Sequence, residues 1–256
     1  MATLLKIGGA LCVAFAVLAC ISLVLPLINE MYHPLYGTDS RVIGYSPPSL
    51  QHILGTDFMG RDLFSQLCAG ALNAFIHGIA RSVLALPVLL FAAFVLSKLR
   101  KETPHFEDTL LIRYIRFIAF PLGVTALLSF FVMMFLPIAM SLWVWILLVA
   151  VGFSYLGWLA VGRDIEVQFR KKKISAKLFL SFVALAVSYS TLLDGVLGFF
   201  GLGSPRVVTW GMMVQWCYTS GYTFKALHWL LPPILCIYLG SRGMLALSYG
   251  LSDSAS

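Results

Sequence analysis

Charge is what this sequence has least of. Asp, Glu, Lys and Arg make up 11% of its 256 residues, while 60% are hydrophobic, and mean hydropathy is +0.90. Soluble domains carry about 25% charged residues, so there is too little charge here to cover a water-facing surface. A larger core is no remedy, because one domain of this length still exposes much of its surface. From Phe117 to Gly162 there is no Asp, Glu, Lys or Arg at all, a run of 46 residues. As a single helix it would extend about 69 Å. A bilayer core is about 30 Å thick, so the run has to cross, turn and cross again. Enzyme signatures are also missing: the chain has no Walker A run, no G-x-S-x-G, no H-E-x-x-H and no CxxC pair. The five cysteines (Cys12, Cys20, Cys68, Cys217, Cys236) have no metal-ligand spacing and no paired framework. Four of them sit in or beside apolar runs, where free Cys acts as a small hydrophobe.

What is present is a succession of apolar runs. Leu4–Leu25, broken only by Lys6, exceeds a signal-peptide h-region and is followed by further runs, so residues 1–28 read as an uncleaved first helix. A polar segment rich in Pro, Gly, Asp and Ser, Asn29–Arg61, belongs to a loop unit over 29–66. Ala69–Leu96 is the second run and contains His77 and Arg81; a charged connector, Ser97–Asp108, follows. The uncharged region divides near Pro137 into spans of about Phe117–Leu136 and Leu142–Val161. The basic segment Arg163–Lys177 precedes a fifth run, Leu178–Phe200, which contains Asp194. Gly201–Lys225 is polar and Gly-rich, and Ala226–Leu247 is the sixth run, with Pro232, Pro233 and Arg242. The pattern predicts an all-α integral membrane protein of about six spans, five of them within 67–256.

Basic residues near helix ends set orientation. One side holds twelve, from Lys6, the 98–116 connector and the 163–177 loop; the other holds Arg41, Arg61, Arg206 and Lys225. This asymmetry predicts both termini in the cytoplasm and the 29–61 and 201–225 loops outside. The formal charge of +7 is therefore a topology signal in contact with membrane lipid, and nucleic acid is not an expected partner.

The stretch Pro48-Ser49-Leu50-Gln51-His52-Ile53-Leu54-Gly55-Thr56-Asp57-Phe58-Met59-Gly60-Arg61-Asp62-Leu63-Phe64-Ser65 strongly resembles the segment after the first helix in the second permease subunit of dipeptide/oligopeptide/nickel-type ABC importers. That family reads approximately P-S-x-x-H-x-L-G-T-D-x-x-G-R-D-x-x-S. Gly70-Ala71 continues the match, as do Asp194-Gly195-Val196-Leu197-Gly198-Phe199-Phe200-Gly201-Leu202-Gly203, Pro205 and Trp210-Gly211-Met212-Met213 nearer the C-terminus. The resemblance implies a multi-pass permease in the cytoplasmic (inner) membrane of a prokaryote. Its implied partners are a homologous second permease subunit, two cytosolic ATPases and an external substrate-binding protein. ATP and Mg would be bound by the ATPases and no cofactor by this chain. Peptides are the default cargo, with nickel, oligosaccharides and polyamines as alternatives.

The resemblance also assigns sites. His52, Gly55, Thr56, Asp57, Gly60, Arg61 and Asp62 form the external motif, expected to cap the helices and to offer a docking or gating surface. Glycines allow tight turns there, and Asp with Arg can lock a loop through charge-assisted hydrogen bonds. Asp194 is an intramembrane carboxylate, costly enough to imply a role: it lines the pathway, or it pairs with Arg81 or Arg242 in helix packing. His77 reads as a packed polar residue rather than a ligand, and no metal site is expected. The family places its ATPase-coupling helix at the 163–177 loop, making Arg163, Asp164, Glu166, Phe169, Arg170 and Lys172 the candidates. That helix normally reads E-A-A-x-x-x-G; here Glu166 is the plausible remnant, and Lys172 stands where Gly is expected. The loop is also shorter than the family's by about 20 residues. Two rival expectations follow: a permease that has lost coupling and serves as a membrane scaffold, or an ATP-independent channel or secondary transporter.

Overall fold

The computed structural model describes residues 2–42, 44–99, 176–204 and 206–253. The described residues hold five α-helices and no strand: α1 (Ala2–Ile28), α2 (Leu63–Leu99), α3 (Ala176–Phe199), α4 (Trp210–Thr219) and α5 (Leu227–Asp253). Four of them, α1, α2, α3 and α5, are long and apolar enough to cross a membrane, which makes this a multi-pass, membrane-embedded helical protein. The third and fourth expected spans and most of the expected coupling loop lie outside the described residues.

Each helix boundary has a local cause. α1 runs to the end of its uncharged stretch and closes on Asn29, whose N–H donates to the Leu25 carbonyl at 3.2 Å. Asn29 then caps the short 3-10 turn Glu30–Tyr32 by accepting from the Met31 N–H at 3.0 Å. α2 starts six residues before the apolar run that announced it. Asp62 caps it, its Oδ2 accepting from the Ser65 N–H at 2.7 Å and thereby satisfying a free donor of the first turn. The buried polar residues Ser65 and Gln66 hide that first turn from a hydropathy reading. α5 carries Pro232 and Pro233, which leave the His228 and Trp229 carbonyls without their helical N–H partners. It also outlasts its expected end at Leu247 by six residues.

α1 packs against α2 and α5, and α3 closes the ring by packing against the same two helices. Small residues set the spacing. A Cβ on Gly8 of α1 would come within 2.5 Å of the Leu247 backbone nitrogen on α5, and one on Gly243 within 2.7 Å of Leu11. Helices in lipid gain little from apolar burial against each other, so such close backbone approach supplies the contact instead. α2 and α3 line the interior, while α1 and α5 turn apolar side chains outward, among them Val13, Val17, Val24, Leu231 and Leu235. This outward apolar surface is the kind that faces lipid.

α4 was not expected. It lies in the stretch read as a polar, Gly-rich loop and packs across the ends of α3 and α5. Thr209 caps it, the side chain accepting from the Met212 N–H at 3.4 Å. Trp210 anchors it: the ring sits 5.5 Å from Phe15 of α1, and its Nε1–H donates to the Leu67 carbonyl of α2 at 2.9 Å.

Candidate functional site

Two groups of polar side chains stand out, and both are buried. The first is the 39–66 lock at one end of the bundle. Gly55 and Gly60 have φ of +80° and +79°, a left-handed backbone that glycine adopts at little cost. These turns fold the chain back on itself so that His52 lies between two carboxylates. Its Nδ1 is 2.9 Å from Asp62 Oδ1 and its Nε2 is 3.3 Å from Asp39 Oδ2. Asp62 thus serves the histidine with one oxygen and the start of α2 with the other. Asp57 accepts from Arg61 Nε at 2.6 Å and from Gln66 Nε2 at 2.9 Å, while Thr56 bridges the Ser46 N–H and the Gly44 carbonyl.

All seven motif residues therefore meet in one unit, and all are buried. Together they close over the start of α2, which Asp62 caps and whose Gln66 bonds Asp57. Their burial leaves the motif side chains themselves no free surface on which to dock a partner. Asp39 and Arg41 belong to the same lock and were not singled out from the sequence. Arg41 Nε and NH2 reach Asp39 at 3.0 and 3.1 Å. These bonds, followed by the His52 contact, hold the Asp39 carboxyl well below the ordinary carboxylate range.

The lock is tied to the far part of the chain. Arg61 lies over the Trp216 ring of α4 at 4.4 Å, a cation–π contact. Tyr45 stacks on Tyr222 at 4.6 Å and its hydroxyl meets His228 Nε2 at 3.2 Å. The loop after α1 and the loop after α3 thus share one end of the bundle. Burial pushes the Cys217 thiol of α4 up to about 11, which keeps it protonated and unreactive at neutral pH.

The second group lies between α2 and α3. His77 and Arg81, one turn apart on α2, face Ser190 and Asp194, one turn apart on α3. His77 Nδ1 is 2.9 Å from Asp194 Oδ2, and Arg81 NH2 donates to Asp194 Oδ1 at 2.7 Å. Arg81 NH1 also bonds the Ser190 hydroxyl. Arg81 is fully buried and Asp194 nearly so. Such a cluster persists in low dielectric only because each charge is answered. Of the two arginines weighed as partners for Asp194, the structure selects Arg81. Arg242 is exposed and lies over the Tyr238 ring at 5.7 Å instead. His77, a packed polar residue as expected, proves to be the second support of the same carboxylate.

The space beside this cluster is lined by His77, Asp194, Gly198, Gly203, Ser204, Val207 and Thr209 and measures about 10 Å³. That is at the lower limit for a single water and far too small for a solute. Both Asp194 oxygens are engaged in this conformation, one by His77 and one by Arg81. Among the described residues no group of three His, Cys, Asp or Glu side chains could hold a metal ion. The coupling candidates Arg163, Asp164, Glu166, Phe169, Arg170 and Lys172 lie outside the described residues. No family model matches the chain, and no curated protein sequence matches it.

Proposed function

We propose that this chain is the second permease subunit of a peptide-type ABC importer. With a homologous permease it would form a pathway that opens alternately to the two sides of a prokaryotic cytoplasmic membrane. Two cytosolic ATPases would drive closure, holding ATP and Mg themselves, and an external binding protein would deliver the cargo. The observation that carries this reading is the 48–65 motif. The residues by which it resembles the family are the ones that converge on one buried cap, so the resemblance falls on a working structural unit.

Topology supports the same reading. α2 and α3 run antiparallel: His77, early in its helix, meets Asp194, late in its own, and Arg81 meets Ser190. Leu99 and Ala176 therefore stand at one end of the ring. The uncharged stretches 117–136 and 142–161 are each long enough for one crossing. The proposal keeps six spans with both termini cytoplasmic, which would put the lock and α4 outside.

A second reading keeps the fold and drops the coupling. Lys172 in place of the family's glycine and the shortened 163–177 loop favour a membrane scaffold that pairs with a permease but engages no ATPase. The ATP-independent channel draws less support, because Asp194, Arg81 and His77 neutralise one another rather than face a pathway. Deleting the chain from its source cell and following uptake of labelled di- and oligopeptides, then nickel, sugars and polyamines, tests the transporter. Loss of uptake, restored on re-expression, is expected. Unchanged uptake of every class would end the importer reading.

A further inference from the structure

Leu50 and Ile53 are aliphatic, yet both stand clear of the lock: Leu50 is fully exposed and Ile53 is 63% exposed. Their mount is rigid. His52, between them, is buried against Asp39 and Asp62. The Ser49 N–H donates to the His52 carbonyl at 2.8 Å, and the Ser49 hydroxyl accepts from the His52 N–H at 3.0 Å. Pro47 and Pro48 stiffen the approach. A locked turn that holds two aliphatic side chains out into water leaves most of their apolar area uncovered.

The turn is also fastened at a defined height. Tyr32, four residues past the end of α1, donates its hydroxyl to the Gln51 carbonyl at 2.9 Å, and its ring meets His52 edge-on at 6.3 Å. The apolar span Leu5–Ile28 has 24 residues and rises about 36 Å. That exceeds a hydrocarbon thickness of about 30 Å, so the end of α1 and the turn stapled beside it stand at headgroup depth. Tyr36, exposed on the same segment, is of the residue type enriched at that level. From Pro47 to Ile53 the only ionisable group is His52, which is already buried and partnered, so the tip presents nothing that calls for a charged partner. The exposed side chains of Val24, Leu27 and Ile28 carry apolar surface up the end of α1 toward it.

We infer that the 49–53 turn is a membrane-interface anchor, with Leu50 and Ile53 inserted among the phospholipid headgroups and upper acyl chains beside the end of α1. The anchor fixes the height of the lock over the bundle. It stands whether or not the chain transports anything, since it rests only on membrane embedding and on the Tyr32 staple. The experiment places a benzophenone amino acid at Leu50, at Ile53 and, as an exposed polar control, at Ser40, one at a time. The full chain is then irradiated in its native membrane. Phospholipid adducts at positions 50 and 53, severalfold above position 40, are expected. A discrete protein adduct at either position would assign the tip to a protein partner and overturn the inference. Lipid labelling no greater than at Ser40 would place the tip in water and overturn it equally.

Discussion

Neutralising Asp194 leaves Arg81 buried with its strongest acceptor gone and His77 Nδ1 facing a neutral oxygen. Asp194→Asn is expected to cost about 3–5 kcal/mol, the usual penalty for stripping one partner from a buried pair. Thermal unfolding in detergent, followed by size-exclusion, measures it. Replacing both charges by apolar residues, Asp194→Leu with Arg81→Met, should come closer to the native chain than either single change. If Asp194→Asn unfolds like the native chain, the carboxylate is no packing residue and the pathway role returns. In the lock, Asp39 gives a pH prediction. Its carboxyl lies below the ordinary range chiefly through its bonds to Arg41. The stabilisation is therefore present above about pH 4 and lost as pH falls through the native value. Arg41→Gln should bring on that acid loosening at higher pH. Peptide-level hydrogen exchange over residues 37–53, corrected for intrinsic rates, reads the shift; identical profiles for the two chains would contradict it. Arg41 is exposed, so added salt should weaken the difference. Sequence alone marked Asp194 as costly but offered no way to choose between Arg81 and Arg242. That choice depends on helix neighbours, which hydropathy does not encode. The His77–Arg81 spacing, one turn on one face, was the available hint.

The helices themselves were more legible than their partners. α1 and α3 lie where their apolar runs put them, within three residues at each end. α2 and α5 overran their runs because polar residues at their ends find partners inside the fold: Ser65 on Asp62, Gln66 Nε2 on Asp57, and Ser248 against Ser181 of α3 at 3.0 Å. α4 went unseen because ten residues in a Gly-rich stretch give little periodicity. Its signal was a cap, Thr209 immediately before an apolar run. Close approach of α1 to α5 gives a paired test. Gly8→Ala puts a methyl against the Leu247 and Gly243 backbone and is expected to destabilise by about 1–3 kcal/mol. Gly9 has open space around its Cβ position, so Gly9→Ala should stabilise by roughly 0.5–1 kcal/mol, the helix preference of Ala over Gly. Thermal unfolding of the two variants should shift in opposite directions. A similar shift for both would mean that the two helices do not meet at Gly8.

At the scale of the molecule, the features form a gradient across the bundle. One end is fastened by the lock, α4 and the Tyr45–Tyr222–His228 stack, and the α2–α3 seam is held by Asp194. An end made rigid by buried ion pairs would suit the proposed permease, whose spans tilt as units rather than bend. Membrane embedding could be read from the residues themselves. Partners could not, because docking surfaces on helical permeases leave no periodic trace, and the 163–177 segment matches the family pattern only at Glu166. The measurement that bears most directly on the transporter claim is co-purification. The chain would be tagged, expressed with its candidate partner permease and ATPases, and recovered from the membrane. ATPases recovered in stoichiometric amount, and lost when residues 163–177 are replaced by a Gly/Ser linker, are the predicted result. Recovery of the partner permease without the ATPases would contradict ATP-driven transport and leave a scaffold in its place.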